Sequence, residues 1–322
     1  MIKPAGTPQR QKILVTGATG FVGSFLCDQL IKREFEVLGT QRDVAVMDSP
    51  FEVISTGEIG PNNDWSYALK DVTVVIHLAA RVHVMTDVES EPLSAYRKVN
   101  VDGTLNLARQ AVASGVVRFI YLSSIKVNGE LTLKGRSFTA SDVPNPQDAY
   151  SISKAEAEAG LRVLAAQSGM EIVIIRPPLV YGPNVKANFL RMLKWVQRGV
   201  PLPFGLIRNS RSLVGIDNLT DLIITCMTHP AAANQTFLVS DNQDVSTTEL
   251  LKLIGQAFGK SARLMPVPAS LMVLFLKMMG RNDLVVRLFG SLQVDIMTTR
   301  ETLNWGPPLS LNEGLKKLIN SM

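Results

Sequence analysis

At 322 residues the chain is long enough to bury a sizeable core, as two lobes or as one large domain. A composition of 46% hydrophobic and 19% charged residues excludes a disordered chain. The net charge of +5, with no run of five or six basic residues, argues against a nucleic-acid-binding protein; a few arginines facing an anionic small molecule account for the same balance.

In chain order, residues 1–11 are polar and lack the apolar core of a signal peptide. Short β-rich runs at 12–16, 36–40, 72–78, 118–123 and 171–176 then alternate with helical patterns at 21–32, 92–114 and 149–167. Several of the runs are apolar almost throughout, as in a parallel sheet covered on both faces. This alternation predicts an α/β fold, a doubly wound Rossmann-type parallel sheet with right-handed crossovers. Beyond Arg176 the prolines at 177, 178, 183, 201 and 203 break the rhythm, and shorter helices are expected at 188–198, 218–227, 247–258, in a cluster over 269–288, and at 311–319. The organisation read from this is a dinucleotide-binding domain over 1–178, with 212–240 returning to it through strands near 213–216 and 236–239, and a smaller mixed C-terminal substrate lobe over 179–322.

The most apolar stretch, 269–279, contains Lys277 and follows Pro266 and Pro268; it is too short to span a bilayer. A buried helix is expected there, with a membrane-surface contact as the other reading. Cys27 and Cys226 sit in apolar helical patterns and read as buried small hydrophobes, which suits a reducing compartment. His77, His83 and His229 lack ligand-like spacing, so no metal is expected. A cytoplasmic protein is the expectation.

Two motifs carry the chemistry. Gly17-Ala18-Thr19-Gly20-Phe21-Val22-Gly23 follows the apolar run Ile13-Leu14-Val15 and opens a helix, the context that a dinucleotide pyrophosphate requires. Gly17 permits the turn, Gly20 lets the backbone approach the phosphates, and Gly23 lets helix and sheet pack closely. At the end of the second strand stand Gln41 and Arg42, where NAD-preferring sites place an acid and an arginine accommodates a 2′-phosphate. NADP is therefore expected, with NAD as the second choice. Downstream, Tyr150-Ser151-Ile152-Ser153-Lys154 sets a phenol and an ammonium one helical turn apart. The lysine lowers the tyrosine's pKa toward neutrality, which fits Tyr150 for the proton transfer that accompanies hydride transfer.

With these motifs the chain resembles the extended short-chain dehydrogenase/reductases, the group of UDP-glucose 4-epimerase and related nucleotide-sugar enzymes. The resemblance includes His77-Leu78-Ala79-Ala80, Asn100-Val101-Asp102-Gly103-Thr104, Ser123-Ser124 and Arg176-Pro177-Pro178 with Val180-Tyr181-Gly182-Pro183. It implies that Phe21, Val22, Leu78, Ala79, Ala80, Asn100, Ser123 and Pro177 line the cofactor with the glycines, that Glu58-Ile59 lies near adenine, and that Lys154 binds the nicotinamide ribose. Ser124 matches the hydroxyl that orients the reacting oxygen, with Ser123 as the runner-up. His77 reads as a packed strand-end residue. Lys126 faces the same mouth if the strand has ended, as a substrate contact or a solvated loop lysine.

The second lobe carries the substrate hints. Asn188 and Phe189 open a helix whose amides suit a diphosphate. By resemblance Arg211 meets the diphosphate, Pro203 and Phe204 pack on uracil, and Arg287 is a second clamp or a surface residue. Leu179 stands where the resembling epimerase has asparagine. The run Ser123 to Glu130, with 185–189 and 290–295, resembles bacterial reductases of UDP-4-keto-6-deoxy-N-acetylhexosamines. The function expected is thus an NAD(P)-dependent oxidoreductase at C4 of a UDP-linked hexose. The first reading is a 4-ketoreductase serving surface-polysaccharide synthesis, with a UDP-hexose 4-epimerase next and a cofactor-sensing regulatory protein as a remote alternative. Apolar residues on more than one face of 92–114 and 149–167 add a homodimer through a four-helix bundle, as the family resemblance supports.

Overall fold

The computed structural model describes residues 11–42, 49–82 and 91–322. His83 and all but the last residue of the polar start lie outside the described residues. The described residues group into two compact units. The first takes those up to Ser123 together with Asp148–Ile175 and Ile223–Gln235; the second takes Ser124–Gln147, Arg176–Leu222 and Thr236–Met322.

The first unit is built on strands β1 (Lys12–Thr16), β2 (Glu36–Gln41), β3 (Glu52–Ser55), β4 (Val72–His77), β5 (Arg118–Leu122) and β6 (Glu171–Arg176). They lie parallel in the order β3-β2-β1-β4-β5-β6. The order reverses direction beside β1, the doubly wound arrangement expected from the alternation. Ile13, Leu14, Val15, Val75 and Ile76 have no exposed surface, because helices cover both faces of the sheet. Those helices are α1 (Phe21–Lys32), α2 (Pro92–Arg97), α3 (Thr104–Ala113) and α4 (Ala149–Gln167). Arg118 ties the unit together: its guanidinium reaches Glu171 and the carbonyls of Cys226 and His229 at 2.6–3.0 Å.

One predicted element of this unit is corrected. The helix expected over 92–114 is interrupted by a wider π-helical turn, Lys98–Gly103, between α2 and α3. Asn100 inside this turn bonds Arg81 and Ser153 with its side chain, and a Cβ on Gly103 would lie 2.6 Å from Ile59 Cγ2. Wide turns of this kind concentrate at functional sites.

The second unit contains β7 (Leu179–Tyr181), α5 (Ala187–Gln197), β8 (Leu213–Gly215), the start of α6 (Ile216–Thr228), β9 (Thr236–Leu238), α7 (Thr247–Ala257), α8 (Ala269–Met278), α9 (Asn282–Phe289), α10 (Met297–Leu303) and α11 (Leu311–Asn320). Residues 213–216, expected to return to the main sheet, instead pair through β8 with β7 in a separate two-stranded parallel sheet. The buried helix expected over 269–279 is also corrected, since α8 has no buried residue. Both cysteines are buried as expected, and burial pushes each thiol up to about 12, so neither is a nucleophile at neutral pH.

Asp241, 4% exposed, holds this unit together. Its carboxylate accepts from Tyr181 Oη at 2.7 Å, Gly215 N at 2.8 Å and Asn218 Nδ2 at 2.6 Å. Asn218 in turn exchanges hydrogen bonds with the backbone of Leu309. Asp241→Ala strands three buried donors at once, and a loss of about 3 kcal/mol is expected, read as a lower urea midpoint with unchanged slope. An unchanged midpoint would remove Asp241 from this role.

Candidate functional site

The glycine loop of the first unit is shaped by close approach. Gly17 has a φ of +67°, and a Cβ there would sit 3.0 Å from the backbone of Ala79. A Cβ on Gly23 would lie 2.1 Å from Gly17 O, so α1 packs against the loop only because that position lacks a side chain. Gly20 is the exposed N-cap of α1 and offers no side-chain cap, which leaves the first-turn amides and the positive helix end for an anion. Phe21 and Val22, half-buried, occupy that first turn. This donor set fits a dinucleotide pyrophosphate.

Around the loop, Gln41 ends β2 and Arg42 follows it, exposed. The carbonyl of Gln41 accepts from Thr56 N at 3.0 Å, which leads the chain to exposed Glu58 and buried Ile59. Leu78, Ala79 and Ala80 are half-buried beyond β4. Asn100 is 1% exposed, and its amide clamps Arg81 N and O at 2.8 and 3.0 Å. Its side chain thus shapes the strand-end loop.

The candidate reaction centre rests on the start of α4. Asp148 caps the helix reciprocally with Ser151, accepting Ser151 N at 2.7 Å and donating its own N–H to Ser151 Oγ. This fixes the first turn, which bears Tyr150, and the next, which bears Lys154. The Tyr150 ring meets Tyr96 edge-on at 6.2 Å. Lys154 is 2% exposed; its Nζ donates to Leu122 O at 2.9 Å, lies 4.5 Å from the Tyr121 ring centroid and 6.0 Å from that of Tyr150. Burial pulls the Lys154 ammonium down to about 7, and the Glu158 carboxylate opposes that fall. His77 is a packed residue, as expected. Its ring bonds Thr16 and Thr104 at 2.7 and 2.9 Å, and burial, with Lys154 nearby, holds it neutral at about 3.

Ser124, Lys126, Pro177, Asn188, Phe189, Pro203, Phe204, Arg211 and Arg287 belong to the second unit. Ser124 caps a short 3₁₀ turn, its Oγ accepting from Lys126 N at 3.3 Å. Lys126 Nζ lies 3.8 Å from Glu130, the setting of a solvated loop lysine. Pro177 is buried and accepts from Ile125 N at 3.0 Å. Asn188 is exposed in the first turn of α5, whose N-cap, Lys186, gives no side-chain cap. Phe189 is 3% exposed and its ring stacks on Tyr181 at 5.7 Å, which leaves the expectation for its backbone amide in the first turn of α5 as it stands. Phe204 O accepts from Thr248 at 2.6 Å, and Gly205 N donates to Met265 O, which fixes the 203–205 turn. The Arg211 guanidinium reaches the carbonyls of Arg287 and Gly290 at 3.4 and 3.1 Å, at the C-terminal end of α9, where a cation is favoured. Arg211 and Arg287 are thereby brought together, through the Arg287 backbone. Leu179 is exposed on β7.

Sequence reasoning missed Glu158. It is 2% exposed and accepts from Ser123 Oγ at 2.5 Å, with the more exposed Arg162 at 4.0 Å. The signal was present, because Glu158 follows Lys154 by four residues on the same helix face. The bond also commits the Ser123 hydroxyl, which leaves Ser124 the better candidate for orienting substrate. Glu158→Gln removes a charge that favours the Lys154 ammonium, so the lysine loses its proton at lower pH. The limb of the pH–kcat profile set by Lys154 is expected to move to lower pH, and a fall of one unit from about 7 lowers kcat at pH 7 by about fivefold. A variant that only loses stability, with the limb unmoved, would leave Glu158 as packing.

Comparison with known proteins agrees with this geometry. The family model described as the NAD dependent epimerase/dehydratase family matches residues 13–240. The chain is 52% identical over 309 residues to a UDP-glucose 4-epimerase of Vibrio cholerae, covering 95% of this chain and 94% of that protein. Among solved structures, the UDP-glucose 4-epimerase of Thermotoga maritima with UDP-glucose superposes with a TM-score of 0.77 at 24% identity, over 97% of this chain and 98% of that one. The UDP-glucuronic acid 4-epimerase of Bacillus cereus with NAD superposes with a TM-score of 0.78 at 23% identity, again over 97% and 98%. A glycine loop with an uncapped helix end, a tyrosine–lysine pair on α4 and a match through both motifs converge: the chain belongs to the NAD-dependent epimerase/dehydratase family and is an enzyme.

Proposed function

We propose that the enzyme acts at C4 of a UDP-linked hexose as a 4-epimerase. The observation that carries this reading is Lys154, held at the end of β5 beneath Tyr150 in the unit that bears the glycine loop. The likeness over nearly the whole chain to a UDP-glucose 4-epimerase supports it and puts epimerisation ahead of reduction.

A bound nicotinamide cofactor supplies a hydride acceptor and donor. The Lys154 ammonium stabilises the Tyr150 phenolate that takes the proton of the C4 hydroxyl as hydride leaves C4; Tyr150 is a neutral phenol while the 4-keto sugar lasts, and it is a phenolate again once it has returned the proton. Ser124 Oγ holds the sugar oxygen. The amides opening α5 at Asn188 and Phe189, with the planar fork of Arg211, receive the diphosphate, and Pro203-Phe204 packs on uracil. Arg287 lends charge to the same region. The family points to NAD.

A second reading, a 4-ketoreductase for surface-polysaccharide precursors, is favoured by one observation: β2 ends in Gln41, with exposed Arg42 next, a pair suited to the 2′-phosphate of NADP. The enzyme acts in the cytoplasm as a homodimer through α2 to α4, where Val163 is 56% exposed; light scattering that shows a monomer at micromolar concentration would remove the dimer.

Incubation with UDP-glucose, UDP-N-acetylglucosamine and a UDP-4-keto-hexose, each with and without added NADPH or NADH, separates the readings. Interconversion at C4 without net cofactor consumption is the expected result, whereas stoichiometric loss of NADPH with a 4-keto sugar would establish the reductase instead. Tyr150→Phe is expected to lower kcat by about 10²–10⁴ while cofactor binding persists; retained turnover would reject the assignment of Tyr150.

A further inference from the structure

Helix α8 inverts the usual rule for a surface helix. Leu271, Leu274, Phe275, Met278 and Met279 recur at i, i+3, i+4, i+7 and i+8, the spacing of one helical face, yet they are 57–74% exposed. The inner face is only half-buried, through Met272, Val273 and Leu276, and α8 packs against α9. Lone exposed apolar residues are ordinary; five forming one stripe mark a contact surface.

The surrounding charge selects the partner. Lys277 on α8 and Arg281 just beyond its end are both exposed, and no acid stands between residues 259 and 282. An apolar stripe of leucine, phenylalanine and methionine flanked by basic residues is the pattern of a helix lying in the interface of an anionic bilayer. Ten residues of helix extend about 15 Å, half the hydrocarbon thickness, so α8 lies on a membrane and does not cross it. A second copy fits less well. One helical face about 15 Å long and about 10 Å wide offers a footprint of about 150 Å², against roughly 800 Å² per partner in a stable interface.

The geometry points to α8 as a docking helix that seats the enzyme on an anionic phospholipid surface through Leu271, Leu274, Phe275, Met278 and Met279, with the basic residues at the headgroups. This inference goes beyond the proposed reaction and does not depend on it, because α8 holds none of the residues assigned to catalysis.

The test is flotation of the whole protein with phosphatidylcholine vesicles and with vesicles that also contain phosphatidylglycerol. Flotation with the anionic vesicles and not the neutral ones is expected, weakening as salt rises. The double variant Leu274→Glu, Phe275→Glu is expected to bind at least about tenfold more weakly, with C4 turnover of soluble UDP-sugar unchanged. Because both side chains are exposed, the substitutions leave the fold intact, and a circular dichroism melt at the wild-type temperature checks this. Equal flotation of variant and wild type would overturn the proposal. So would absence of flotation, or an oligomer that the double variant breaks in the absence of vesicles, which would assign the stripe to a second copy.

Discussion

The structure turns on a buried ammonium. Lys154 stands at the C-terminal end of β5 with almost no solvent contact, and a charge there is tolerated only where polar groups replace its water. The Leu122 carbonyl, the face of Tyr121 and the Glu158 carboxylate supply that replacement. Their balance brings the lysine close to neutrality in its titration, where small changes in surroundings alter its charge. A surface lysine beside Tyr150 would be screened by water and would act weakly on the phenol.

Much of the rest can be read as support for that placement. The Asp148–Ser151 cap fixes where α4 begins, and so where its second residue, Tyr150, points. The π-helical turn puts Asn100 against both the loop after β4 and Ser153 on α4, so one amide links that loop to the helix of the tyrosine and lysine. His77 and its two threonines brace β1 and β4 against α3 with a neutral ring. Buried polar groups with this many partners give positional precision, since each has few alternative arrangements of comparable energy.

The second unit uses the same economy for a different end. Asp241 gathers Tyr181, Gly215 and Asn218, and Arg211 lies across the carbonyls that end α9. An arginine anchored through one nitrogen to carbonyl oxygens is ordered in advance, which suits it to the diphosphate contact proposed for it. The stripe of α8 is the exception in this unit, apolar and exposed.

The sequence by itself determined the glycine loop, the tyrosine–lysine pair and the parallel sheet, because each rests on local spacing: glycines at a strand–helix junction, a four-residue helical repeat, and apolar runs bounded by turns. α1, α4, β1 and β6 have the limits that their patterns predict. Tertiary structure alone decided the features set by distant partners. The helix over 92–114 opens into a π turn because Asn100 meets Arg81 and Ser153 and Gly103 meets Ile59. The Ser123 hydroxyl is committed to Glu158, Phe189 turns inward onto Tyr181, and β8 pairs with β7. The apolar pattern at 269–279 fixed a helix but not its surroundings: periodicity reports which residues share a face, and only the packed chain determines whether that face meets protein or solvent.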